Sequence, residues 1–75
     1  MPKLPPITGT ELMAALQKIG FDLIRQKGSH VRLKHPDGRV VTVPTHAGKT
    51  LGKGLLLKIL RDAALSKDDL IKLLS

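Results

Sequence analysis

Seventy-five residues allow one small domain on one core, since a chain of this size buries only a modest share of its surface. The composition is 41% hydrophobic, with Phe21 the single aromatic residue and no cysteine, which calls for an aliphatic core and excludes aromatic stacking platforms, disulfides and thiolate metal sites. The net charge of +7 is unevenly placed: between residues 25 and 53, seven basic side chains stand against Asp37 alone. Such a distribution suits a face that meets a polyanion, and nucleic acid is the abundant one in a cell; the plainer reading is a solvated basic surface. No segment approaches the roughly 20 apolar residues of a membrane span. The opening MPKLPPITG has no apolar run of signal-peptide length, so the expected location is the cytoplasm.

In chain order, Thr8-Gly9-Thr10-Glu11 matches a capping box and predicts a helix start. Leu12, Leu16 and Ile19, with Met13 and Ala15 beside them, recur at helical spacing until Gly20, a natural left-handed stop. Residues 21–27 and 30–35 read as two strands joined by Gly28-Ser29, with glycine at the first position of a type II′ turn. In the second strand, alternation sends Val31 and Leu33 to the core and leaves His30, Arg32 and Lys34 on the other face. His35-Pro36-Asp37-Gly38 predicts a reversal into a third strand over 39–43, ended by Pro44. A polar, cation-rich loop over 45–53 leads to LLLKILRDAA beyond Gly54, too leucine-rich around its circumference for a simple surface helix. Ser66, followed by Asp68 and Asp69, caps a short last helix carrying Leu70, Ile71, Leu73 and Leu74. The expected fold is one α+β domain over 1–75, ordered α-β-β-β-α-α, a three-stranded antiparallel sheet with its helices on one face and the other face bare.

The chemistry available on that bare face is narrow. The sequence has no Ser-His-acid pattern for acyl transfer, no GxxxxGK[ST] phosphate loop and no carboxylate pair, and its six acids are too few for two-metal nuclease chemistry. No metal or cofactor is expected. His35 and His46 fall at a turn and in a loop, where polar surface roles are the rule. His30 differs, because it shares the open face with cations beside a turn that can bring a phosphate close to backbone N–H groups. A histidine among cations supplies what metal-independent RNA cleavage needs: a proton acceptor or donor, and positive charge around the phosphorane. The RNA supplies the 2′-hydroxyl nucleophile.

The segments ITGTEL (7–12), RQKGSHVRL (25–33), HPDGRVVTVP (35–44) and LLLKILRDAALS (55–66) together resemble the HicA-type mRNA interferase toxins of type II toxin-antitoxin systems, the YcfA-like family. The resemblance implies a fold like that of double-stranded-RNA-binding domains, cleavage of mRNA, growth arrest, and neutralisation by a HicB-type antitoxin that covers the site. It implies that His30 is the catalytic residue, with Gly28 and Ser29 completing its motif. Lys27, Arg32 and Lys34 would steady the phosphate, while Lys49 and Lys53 would hold flanking backbone. Water, a lysine or a second histidine such as His46 would complete the proton transfers. The chain departs from the family pattern at Ala64, where members commonly carry glycine.

The main alternative is a non-catalytic double-stranded RNA-binding module, which the same fold and charge would serve. Lys53 and Lys58, separated by four residues, are a thin version of the lysine cluster such modules place on their last major helix. A third possibility is a partner of an acidic protein, with the basic face as steering charge.

Overall fold

The first helix starts where Thr8 can cap it. In the computed structural model, which describes residues 4–74, Thr8 Oγ1 accepts from the Glu11 N–H at 3.1 Å and the Glu11 carboxylate accepts from the Thr8 N–H at 3.0 Å. Both halves of the expected capping box are therefore made, and α1 runs over Gly9–Lys18 with Leu12, Ala15 and Leu16 buried. Gly20 is left-handed at φ +103°, and the Phe21 and Gly20 N–H groups donate to the Leu16 and Gln17 carbonyls, each at 3.2 Å, closing the helix end. Phe21, expected to open the first strand, instead lies buried just ahead of β1 (Asp22–Lys27).

β1, β2 (His30–Lys34) and β3 (Val40–Pro44) form an antiparallel sheet in that spatial order. At the first hairpin Gly28 has φ +59° and Ser29 is not left-handed, as the type II′ turn requires. Pairing sets Val31 opposite Val43 and Leu33 opposite Val41, and these four side chains are buried under the helices. His30 stands opposite Pro44 and Arg32 opposite Thr42, on the open face. β1 is an edge strand exposed along its length, with a bulge between Leu23 and Arg25.

The third strand starts one residue later than expected because Arg39 has other work. Its Nε donates to Asp37 Oδ2 at 2.8 Å, its guanidinium donates to the Ala63 carbonyl, and Cζ sits 5.2 Å from the centre of the Phe21 ring. Arg39 thus ties the turn between β2 and β3 to the end of α2 (Lys53–Asp62), which begins two residues before the expected start at Leu55. α2 packs on β3 and buries Leu56, Ile59 and Leu60, while α3 (Lys67–Leu74) lies mainly against α1, where Lys18 Nζ donates to the Leu73 carbonyl at 3.0 Å. Ser66 and Asp69 cap α3 reciprocally, at 2.9 and 3.1 Å. The α-β-β-β-α-α order, the antiparallel sheet and its open face are as the sequence predicts. Residues 1–3 and 75, included in the expected domain, lie outside the described residues.

Gly9 has a role that the capping box conceals. A Cβ on it would stand 1.8 Å from the Pro44 carbonyl oxygen, so the start of α1 abuts the end of β3 with no room for a side chain. A second tie runs alongside, from the Leu51 N–H to the Ile7 carbonyl at 2.8 Å. Together they hold both ends of the loop between β3 and α2.

Candidate nucleic-acid interface

The hairpin presents His30 as an exposed side chain at the start of β2. Lys27 is its partner on β1, and Arg25 stands directly opposite Arg32. Like charges in facing positions destabilise a sheet, so this arrangement is not one that folding by itself favours. Arg25, Lys27, His30, Arg32 and Thr42 line a shallow hollow of about 290 Å³ with no carboxylate among its lining residues. On the far side of His30 and Arg32 a second cleft, of about 410 Å³, is walled by Thr42 and Pro44 of β3 and by Leu55, Ile59, Lys58 and Asp62 of α2. The leucine excess noted in α2 is thereby explained: Leu56 and Leu60 enter the core, and Leu55 is exposed at this cleft.

Of the residues expected to meet RNA, Lys27 and Arg32 join His30 in the hollow. Gly28 and Ser29 shape the turn, and the Ser29 carbonyl accepts both the Thr45 N–H at 2.6 Å and the Thr45 hydroxyl at 3.0 Å. Lys34 shares the face but lies opposite Asp22 and outside both concavities. Lys49, in the loop, and Lys53, first residue of α2, are exposed and also outside them. Arg39, counted in the basic stretch, is spent on the turn.

The family model for the HicA toxin of bacterial toxin-antitoxin systems matches residues 9–65, well over half of the chain. The chain belongs to the HicA toxin family. A search of curated proteins found no match. The matched span of this HicA toxin holds both concavities, the His30 hairpin and the loop with His46, and membership implies an antitoxin partner. Among the described residues no helix is long and apolar enough to cross a membrane, and no three His, Cys, Asp or Glu side chains converge as metal ligands.

The three histidines of the toxin separate cleanly. His35, expected to be a surface residue of its turn, is half-buried: Nε2 lies 2.9 Å from the Ile19 carbonyl, Nδ1 accepts from the Asp37 N–H at 3.2 Å, and the ring meets Phe21 edge-on with centroids 5.2 Å apart. It clasps the turn to the end of α1 and stands apart from the hollow. His46 is exposed, and its ring centroid lies 6.5 Å from that of His30. Sequence reading did not single out Arg25 or Thr42 for the site. Alternation back from Lys27 along β1 carries the signal for Arg25. Thr42 becomes visible only through its pairing with Arg32.

Proposed function

We propose that this HicA toxin is a metal-independent endoribonuclease that cleaves mRNA in the cytoplasm and so arrests growth. The observation that carries the reading is the position of His30 in a hollow lined also by Arg25, Lys27 and Arg32 and by no carboxylate. A phosphodiester seated there meets cations on the β1 side and an imidazole at its reacting centre. His30 acts as general base or acid on the transfer to the 2′-oxygen, a role worth about 10² to 10⁴ in rate. The arginines and Lys27 stabilise charge on the equatorial oxygens as the phosphorane forms. Lys34, Lys49 and Lys53 meet the backbone to either side. The antitoxin, of the HicB type, covers the same face and presents acidic residues to it.

The test incubates purified protein with structured and unstructured RNA in excess chelator, comparing wild type with His30→Ala. Cleavage that survives the chelator and disappears in the variant is expected. Equal binding of duplex RNA by both proteins, with no cleavage by either, would instead assign the face to a non-catalytic double-stranded RNA module.

A further inference from the structure

Transfer of the phosphoryl group to the 2′-oxygen needs two proton movements at once. The 2′-hydroxyl proton leaves as the 2′-O–P bond forms, and the 5′-oxygen takes up a proton as the P–O5′ bond breaks, giving a 2′,3′-cyclic phosphate and a free 5′-hydroxyl. Because the two oxygens lie on opposite sides of phosphorus, one imidazole cannot serve both. A lysine ammonium holds its proton too tightly near neutrality to be well matched to either task, whereas imidazole suits both.

We infer that His46 is the second proton-transfer group, so that His30 and His46 form an acid-base pair across one phosphodiester; this rests on the ribonuclease reading. The ring centroids are 6.5 Å apart with the planes at 78°. That separation is too wide for one ring to hydrogen-bond the other, yet it lets both reach the same phosphate group through bonds of about 2.6–3.2 Å.

The spacing is built into the backbone. The Ser29 carbonyl is gripped twice by Thr45, through its N–H at 2.6 Å and its hydroxyl at 3.0 Å, and the residues that follow the two partners of this clamp are His30 and His46. Beyond it, the Lys49 N–H donates to the His46 carbonyl at 3.1 Å over a turn with left-handed Gly48, and the Leu51 N–H returns the loop to Ile7. His46 therefore sits on a short loop anchored at both ends. Its ring is exposed, so truncation leaves the core untouched.

The experiment measures kcat and KM of wild type, His30→Ala and His46→Ala on two substrates: an RNA dinucleotide, and a uridine 3′-nitrophenylphosphate whose leaving group departs without needing a proton. On the dinucleotide, His46→Ala is expected to lose about 10²- to 10⁴-fold in kcat with little change in KM. On the nitrophenyl ester one of the two variants, the one lacking the acid, is expected to recover most of its rate while the other does not. Full activity of His46→Ala on the dinucleotide would overturn the pairing, as would equal losses of the two variants on both substrates. If wild type cleaves neither substrate, the ribonuclease reading falls and takes the pair with it.

Discussion

Ala64 is the non-glycine residue with a left-handed backbone among those described, at φ +57°. It occupies the position after the end of α2, where the Leu65 and Ala64 N–H groups donate to the Leu60 and Arg61 carbonyls at 2.9 and 3.0 Å. Its Cβ crowds the next carbonyl at a cost of about 1–2 kcal/mol, as anticipated from the missing family glycine. Ala64→Gly is expected to raise the thermal midpoint by several degrees, since about 1 kcal/mol moves a domain of this size by ~4–8 °C. An unchanged or lower midpoint in a melting experiment would show that the cap carries no strain. The cap was legible through the family resemblance, which puts a glycine at that position. Gly9 was not, because the carbonyl that forbids its side chain belongs to Pro44 at the far end of β3. His35 misled for the same reason: its partners, Ile19 and Phe21, come from an earlier part of the chain.

Elements in this toxin are tied at their ends by carboxylates. Glu11 is held below its ordinary pKa chiefly by the Thr8 backbone N–H and then by the Thr8 hydroxyl, and Asp69 likewise by the backbone and hydroxyl of Ser66. In the turn between β2 and β3, the Arg39 side chain and then its backbone N–H hold Asp37 low. In each case the folded value lies below the unfolded one, so as pH falls the unfolded chain takes up protons first and gains on the folded state. The stabilisation is whole above the ordinary carboxylate range, about 4, and is lost as pH falls through the lower folded values. Thermal midpoints are expected to fall in acid below about pH 4 for this reason. Glu11→Gln, which removes the carboxylate that the Thr8 N–H and hydroxyl hold low, should lose less between about pH 5 and pH 3 than wild type. An acid loss as steep as that of wild type would place the pH dependence elsewhere than in the α1 cap.

Over the whole molecule, the decisive feature is how the net charge of +7 is shared out. Arg39 is consumed by the fold and Lys34 faces Asp22, while Arg25, Lys27 and Arg32 gather in one hollow. Neutralising three phosphates of a single strand predicts a slope of log affinity against log salt of about −2 for a short RNA that fills only the hollow. A longer RNA that also reaches Lys34, Lys49 and Lys53 should steepen it to about −4. Titrations of both lengths with uncleaved RNA check this, and a slope near zero for the short strand would empty the hollow of its assigned role. The sequence by itself determined the element order, both helix caps, the type II′ hairpin and the face on which His30 and Arg32 lie. Each of these depends on spacing within a few residues, and periodicity records that directly. Tertiary structure alone decided that Thr42 joins Arg25 and Arg32, that Arg39 leaves the basic face, and that His46 comes to 6.5 Å from His30. Those depend on strand register and on where a loop is pinned, which is set by hydrogen bonds between residues far apart in the chain and leaves no period to read.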